Sequence, residues 1–207
     1  MLGVVARPRT FDEALVARRA REAFHDHGYT ATSVEQLTAA TGLPRSSLYG
    51  AFGDKHGLFL RAFEQYCDEE MTAVRTELTG SEQGAFARLR GHLRAKTADP
   101  AASRRGCLLA KATAELAGED RDVARISAAA YRRYEQALTE CLRAAQAAGD
   151  ARADLEPGSG GALLLAVLRG IEALGRAGHT ESALRAIADS AMAMLAADHP
   201  PTEDDRS

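Results

Sequence analysis

The chain has 207 residues, of which 45% are hydrophobic and 27% are charged. This length and hydrophobic content suffice for one mid-sized domain or two small ones with buried cores. The 26 Lys and Arg side chains are nearly balanced by 29 Asp and Glu side chains, so overall charge does not indicate a polyanionic partner. Any binding of nucleic acid must therefore depend on where the charges lie.

Cysteine and histidine usage indicates a reducing compartment and no metal site. The three cysteines, Cys67, Cys107 and Cys141, are odd in number and widely spaced, which argues against a disulfide framework. His25 and His27 are two residues apart, so on a helix they point to different sides and cannot hold one ion together. We expect a cytoplasmic protein with no metal and no cofactor.

No apolar run reaches the roughly 18 to 20 residues of a membrane span. The best candidate, GALLLAVLRGIEALG, is interrupted by Arg169 and Glu172. The N-terminal segment MLGVVARPRT is too short for a signal peptide. The sequence therefore predicts no membrane partner.

Composition and periodicity predict an all-helical fold. Ala, Leu, Arg and Glu dominate, β-branched residues are scarce, and no alternating strand pattern appears. Prolines and glycines divide the chain into about nine segments with helical spacing of apolar residues. The predicted helices span about 11–27, 33–42, 44–52, 54–78, 82–98, 104–117, 120–148, 159–176 and 180–197.

The second and third predicted helices have the signature of a helix-turn-helix. Ser33 is followed three residues later by Gln36, which is a capping box. Gly42 ends this helix and permits a tight turn, and Pro44 opens the next helix.

One side of the third helix carries small or polar residues, whereas the opposite side carries Leu48, Ala51 and Phe52. We call the first side the lean face; within an arc of about 140° it holds Arg45, Ser46, Tyr49, Gly50 and Gly53. A face without bulk allows a helix to enter the major groove of DNA with its N-terminal residues near the base edges. The alternative is that such a face is simply solvated.

Residues 11–60 resemble the DNA-binding domain of the tetracycline-repressor (TetR/AcrR) family. The segment TSVEQLTAATGLPRSSLYGAFGDKHGLF fits the pattern T-G-x-x-x-[ST]-[ST]-L-Y-x-x-F-x-x-K-x-x-L. The resemblance implies a homodimeric repressor that binds a near-palindromic operator of double-stranded DNA and is released by a small-molecule effector. It implies a helix-turn-helix domain at 1–54 and a helical effector-binding and dimerisation domain at 55–198, and the polar composition of 199–207 predicts a disordered tail.

The resemblance also assigns roles to residues of the first domain. Arg45 and Ser46 stand where base-reading side chains lie, and Tyr49 and Lys55 stand where phosphate is contacted. The complete set of expected DNA-binding residues is Thr32, Ser33, Arg45, Ser46, Ser47, Tyr49, Gly50 and Lys55. Gly50 departs from the larger residues common in the family, so Arg45 is expected to carry much of the base readout.

The segment 82–156 is expected to line an effector cavity, although ordinary packing is the simpler explanation for each candidate taken alone. These candidates are Phe86, His92, Leu93, Cys107, Leu108, Lys111, Glu115, Tyr131 and Tyr134. The chain has no nucleophile elbow, phosphate-binding loop or histidine metal motif, so we expect no enzyme. A helical enzyme dependent on Cys107 or His92, and a ligand-sequestering protein without specific DNA binding, are the alternatives.

Cys107 has a second interpretation. The segment RGCLLAKATAEL resembles the start of the sixth helix in family members that sense electrophiles or oxidants. A helix N-terminus with Arg104, Arg105 and Lys111 nearby favours the reactive thiolate, so a thiol-based sensor is the alternative to a small-molecule inducer. The other possibility is a buried cysteine that acts as a small hydrophobe.

The last two predicted helices carry apolar stripes. In the TetR/AcrR family these helices from two subunits form a four-helix bundle, which implies dimerisation here; the alternative is packing within one subunit. The expected dimer residues are Leu163, Val167, Gly170, Ile171, Leu174, Leu184, Ile187, Ala191 and Leu195.

Overall fold

A computed structural model describes residues 11–80, 84–97 and 105–197. Over these ranges the chain forms nine α-helices and no strand, which confirms the predicted all-helical class. They are α1 Glu13–His27, α2 Val34–Thr41, α3 Arg45–Phe52, α4 Lys55–Thr79, α5 Ala85–Ala95, α6 Leu108–Leu116, α7 Arg121–Ala147, α8 Pro157–Arg176 and α9 Glu181–Leu195. The tail predicted at 199–207 lies outside the described residues.

The helices group into two compact units, and the boundary between them falls after Tyr66, within α4. The domain boundary expected from the sequence, between residues 54 and 55, coincides instead with the start of α4. The expected end of the DNA-binding domain at residue 54 stays a prediction, because compactness alone does not define which residues bind DNA.

Local capping and an aromatic core build the first unit. The Asp12 carboxylate accepts hydrogen bonds from the first-turn amides of α1, and α1 ends at Gly28, whose φ of 81° favours glycine. The capping box predicted at the start of α2 is present. In the core, the rings of Phe24 and Phe59 meet edge to face, with 5.1 Å between their centroids.

The second unit is built around α7, which packs against α5, α6 and α8, while α9 covers α8 and α5. Glycines at Gly160 and Gly161 let α8 approach α7 closely, because a Cβ at either position would collide with Leu142 or Thr139. An ion pair between Arg94 and Asp189, with 2.7 Å between nitrogen and oxygen, joins α5 to α9.

Helix α8 is the one helix of the described ranges that is long and apolar enough to cross a membrane, judged by length and composition alone. Core helices meet the same criterion. Here α8 packs against α7 and α9, and it carries the Arg169–Glu172 ion pair that interrupts its apolar sequence.

Candidate functional site

The lean face of α3 is directed away from the core of the first unit. Arg45, Ser46, Gly50 and Gly53 are exposed and Tyr49 is half-buried. On the opposite side, Leu48 is fully buried and anchors the helix. A Cβ added at Gly50 would meet no atom within 4 Å outside its own helix, so this face is open.

Arg45 and Tyr49 are in contact across the first turn of α3. The Cζ of Arg45 lies 5.0 Å from the centroid of the Tyr49 ring, within the range of a cation–π interaction. At an exposed position this contact stabilises by about 0.5–1 kcal/mol. It therefore restricts the directions in which the guanidinium can point.

Lys55 stands at the start of α4, in a position that the helix dipole disfavours for a cation. Its Nζ lies 4.6 Å from the ring centroid of Tyr29 and donates a hydrogen bond of 3.3 Å to the carbonyl oxygen of Thr30. Asp54 caps α4, because its carboxylate accepts a hydrogen bond from the amide of Gly57 at 2.8 Å. Lys55 is thus positioned by contacts with the chain between α1 and α2.

Thr32 and Ser33 both have local structural tasks. Thr32 is 1% exposed, and its hydroxyl donates to the carbonyl oxygen of Gly28 at 2.5 Å. Ser33 is exposed, and its hydroxyl accepts from the amide of Gln36 at 3.1 Å in the capping box. The hydroxyl of Thr32 therefore points into the protein, and Ser33 has the accessible side chain of the two. Ser47, the other serine expected to contact DNA beside Ser46, is half-buried.

The nine expected effector residues do not share one environment. Leu93 and Leu108 belong to the apolar core of the second unit, with 0% and 2% exposure. Phe86 and Lys111 are half-buried, and Glu115 is exposed. Of the remaining four, Cys107, Tyr131 and Tyr134 contact a charged side chain of α8, and His92 contacts Tyr134.

That side chain is Arg169, which the sequence indicated only as an interruption of an apolar run. Its Cζ lies 5.9 Å from the ring centroid of Tyr131 and 5.4 Å from that of Tyr134. Its Nη1 donates to the sulfur of Cys107 at 3.5 Å, and its Nη2 donates to Oε1 of Glu172 at 3.0 Å. We call His92, Cys107, Tyr131, Tyr134, Arg169 and Glu172 the polar cluster.

A hydrogen-bonded chain leads from the polar cluster to α4. The hydroxyl of Tyr134 lies 2.6 Å from Nε2 of His92, and Nδ1 of His92 lies 2.9 Å from a carboxylate oxygen of Glu77. His92 is 1% exposed, whereas the Glu77 side chain is 48% exposed. The hydrogen bond from His92 lowers the pKa of Glu77, and burial raises the pKa of Tyr134.

Burial also affects the carboxyl group inside the cluster. It raises the pKa of Glu172, and the attraction of Arg169 offsets only part of this rise. The sequence signal that could have revealed the pair is an Arg and a Glu three residues apart within an otherwise apolar helix.

The expected dimer residues divide between core and surface. Ile171, Leu184, Ala191 and Leu195 are buried within the second unit. Leu163 is 43% exposed, and Val167, Gly170, Leu174 and Ile187 are half-buried. Met194, which was not among the expected residues, is 67% exposed.

A groove of about 210 Å³ lies between α4 and α7. It is lined by Met71, Thr72, Arg75, Thr76, Arg133, Gln136, Ala137 and Glu140. None of these is an expected effector residue, and Arg133 is already paired with Asp68.

Comparison with known proteins identifies the family. Residues 17–62 match the description "Bacterial regulatory proteins, tetR family", and residues 85–191 match "Tetracyclin repressor-like, C-terminal domain". The chain belongs to the TetR family. It is therefore a transcription regulator with a DNA-binding helix-turn-helix domain, as the resemblance implied.

Relatives of known name are consistent with this assignment. The chain is 40% identical over 84 residues to the uncharacterized HTH-type transcriptional regulator YezE of Bacillus subtilis, a match that covers 40% of this chain and 43% of YezE. It is 28% identical over 149 residues to the HTH-type transcriptional repressor ComR of Escherichia coli, with 70% of each chain covered.

Two solved structures have the same fold. One is a cysteine mutant of the TetR family transcriptional regulator CifR in complex with 26 bp double-strand operator DNA. It is 27% identical to this chain and has a TM-score of 0.76, and the match covers 92% of this chain and 100% of CifR. The other is the reduced form of NemR from E. coli, with 16% identity, a TM-score of 0.80, and coverage of 91% and 100%, which shows similarity of fold alone.

Proposed function

We propose that this TetR-family protein is a cytoplasmic, homodimeric repressor that binds a near-palindromic operator and is released by a small-molecule inducer. The observation that carries the proposal is the exposed lean face, where Arg45 and Ser46 lie at the N-terminal end of α3 and Gly50 leaves the surface open. A recognition helix needs this arrangement, because its first turns contact base edges in the major groove.

The proposed DNA-binding domain at 1–54 and the adjoining Lys55 make two kinds of contact with DNA, to base edges and to phosphates. Arg45 reads a base edge, and its planar guanidinium suits the two acceptors of a guanine. Tyr49, Ser47 and Lys55 contact phosphate, with Ser33 as a further donor. Phosphate contacts position the helix but carry no sequence information, so specificity depends on Arg45 and Ser46.

We propose that the outward sides of α8 and α9 form the dimer interface. Leu163 and Met194 are exposed large hydrophobic residues on these helices. Their neighbours on the same sides include the half-buried Val167, Leu174 and Ile187. A second copy would cover this surface, and two recognition helices about 34–36 Å apart would then reach successive major grooves.

The polar cluster is the proposed inducer site, and α4 is the proposed connection to the DNA-binding residues. Helix α4 is continuous from Lys55 to Thr79 and carries Glu77, the hydrogen-bond partner of His92, in its last turn. An inducer that displaces the Tyr134–His92–Glu77 chain shifts this end of α4. A change from 1:99 to 99:1 in favour of the released form requires about 5.5 kcal/mol of differential binding.

A thiol-based sensor that acts through Cys107 is the second candidate. Two observations favour it: Cys107 is a half-buried free cysteine, and its sulfur lies 3.5 Å from Nη1 of Arg169 within the proposed inducer site. In this case Cys107→Ser abolishes release by hydrogen peroxide or N-ethylmaleimide while operator affinity is unchanged. Cys141→Ser is the control, since that cysteine is buried and its thiol donates to the carbonyl oxygen of Ala85.

In vitro selection from a random duplex library tests the primary proposal. The expected product is a near-palindrome whose half-sites are separated by one helical turn or a multiple of it, bound by a dimer in light scattering. Recovery of unrelated sequences, as expected of a ligand-sequestering protein, overturns it. An operator-linked reporter that falls silent in the presence of the protein supports repression, and increased expression indicates an activator.

A further inference from the structure

Two atoms of the polar cluster have no hydrogen-bond partner among the described residues. They are Nε of Arg169 and Oε2 of Glu172, both buried. The other ends of the same two groups meet in the ion pair of 3.0 Å, and the side chains are only 20% and 14% exposed. A buried polar atom without a partner destabilises a folded protein, so each such atom calls for an explanation.

A third atom of this kind belongs to α7. The hydroxyl of Ser127 is buried and has no partner among the described residues. Ser127 is one turn before Tyr131 and two turns before Tyr134, so all three share one face of α7. This is the face of α7 whose two tyrosine rings flank Arg169.

The charges of the cluster restrict what can satisfy these atoms. Arg169 and Glu172 neutralise each other, and His92 is bonded to its own carboxylate partner, Glu77. Two further charged side chains, Lys96 and Glu70, act on Glu172 with opposite signs, so they add no net charge. A ligand with a formal charge would have to compete with the existing ion pair for a partner in a buried site. A neutral group that accepts from Arg169 Nε and donates to Glu172 Oε2 satisfies both atoms at no such cost.

We propose that the polar cluster binds the uncharged polar end of the effector, a group such as a primary amide in which a hydrogen-bond acceptor and a donor are adjacent. The acceptor oxygen takes the hydrogen of Arg169 Nε, and the amide N–H donates to Glu172. This rests on the proposed inducer site and adds the chemical class of its ligand. The buried Leu93 and Leu108 and the two tyrosine rings nearby suit an apolar or aromatic remainder.

Three probes that share a ring and differ in charge test the proposal: benzamide, benzoate and benzylammonium. Calorimetric titration of the protein is expected to show saturable binding of benzamide, with the two charged probes at least about tenfold weaker because each must compete with the Arg169–Glu172 ion pair for an opposite charge. A wild-type preference for benzoate or benzylammonium overturns the proposal. So does the absence of saturable benzamide binding at millimolar concentration.

A charge variant makes the test specific to this pair. Glu172→Gln keeps the shape of the side chain but leaves Arg169 as an uncompensated cation, so the preference is expected to change from benzamide to benzoate. The control is Glu119→Gln, which removes the same charge from an exposed position of the second unit and is expected to retain the benzamide preference. An unchanged preference in Glu172→Gln contradicts the proposal.

A second variant covers the case in which Glu172→Gln does not fold. The double substitution Arg169→Met with Glu172→Leu replaces both charges by apolar groups of similar size, which a fold usually tolerates. It is expected to bind toluene at least as well as benzamide, and a retained benzamide preference overturns the assignment. Operator binding is measured on the same samples: a wild type that binds its operator but lacks this charge selectivity removes the ligand class alone, whereas absent operator binding removes the proposed function.

Discussion

The guanidinium of Arg45 lies over the ring of Tyr49, one helical turn later in α3, with 5.0 Å between Cζ and the ring centroid. Tyr49 is half-buried and Arg45 is exposed. The ring therefore restricts the guanidinium on the side that lies over it, while the other side of the guanidinium faces solvent. The proposed base contact therefore starts from a partly ordered side chain, which lowers the entropy lost on binding.

Arg45→Ala is expected to lower affinity for the selected operator by about 5- to 150-fold, equivalent to the 1–3 kcal/mol of one bidentate base contact. Affinity for a shuffled duplex should change much less, because base readout is lost and phosphate contacts remain. Fluorescence anisotropy with both duplexes measures the difference. Arg90→Ala removes the same charge from an exposed position on α5 and serves as the control; an equal loss on both duplexes for Arg45→Ala contradicts base readout.

Lys55→Gln is expected to weaken binding to operator and shuffled duplex by the same factor, because a phosphate contact does not depend on sequence. The slope of log affinity against log salt concentration should become less negative by about 0.9, the contribution of one neutralised phosphate. Titrations at several salt concentrations give this slope. An unchanged slope shows that Lys55 contacts Tyr29 and Thr30 but not DNA.

Two substitutions of Gly50 are expected to have different effects, one on stability and the other on DNA binding. Because nothing lies within 4 Å of an added Cβ and the residue is inside a helix, Gly50→Ala is expected to stabilise the free protein by up to about 1 kcal/mol. Gly50→Leu places bulk on the face that is proposed to enter the groove, so operator affinity should fall at least about tenfold. Thermal unfolding and anisotropy measure the two effects; a Leu variant that binds DNA as tightly as the wild type argues that this face remains in solvent.

The Glu77–His92 hydrogen bond predicts a pH effect on stability. Since this bond lowers the pKa of Glu77 below its ordinary value of 4.5, the stabilisation is fully present above pH 4.5 and is lost as pH falls through the lower folded-state pKa. When pH is lowered below 4.5, the melting temperature of Glu77→Gln should therefore fall by less than that of the wild type. Glu64→Gln, an exposed carboxylate of α4, is the control and should follow the wild type; identical acid profiles for wild type and Glu77→Gln contradict a stabilising bond.

The helices and the lean face could be predicted from the sequence because their signals are local. The Ser33–Gln36 capping box and Gly42 mark the bounds of α2, and the structure has both. The outward direction of Arg45 follows from the position of Leu48 on the opposite side of the same short helix. Such features depend on spacing within about ten residues, which sequence records directly.

The polar cluster could not be assembled in this way. Cys107 directly precedes α6, Tyr134 lies in α7 and Arg169 lies in α8, so their contacts depend on how these three helices pack together. Apolar spacing also does not distinguish packing within a subunit from packing between subunits. For this reason Ile171 and Leu184 were expected at a dimer surface, although both are buried within the second unit.

The ratio of affinities for the selected operator and a shuffled duplex of equal length, measured with the wild-type protein at physiological salt, tests the central claim most directly. A specific regulator is expected to show a ratio of at least about 10³, and Arg45→Ala should reduce it. A ratio near one for the wild-type protein would contradict the proposal that the exposed side of α3 reads DNA sequence.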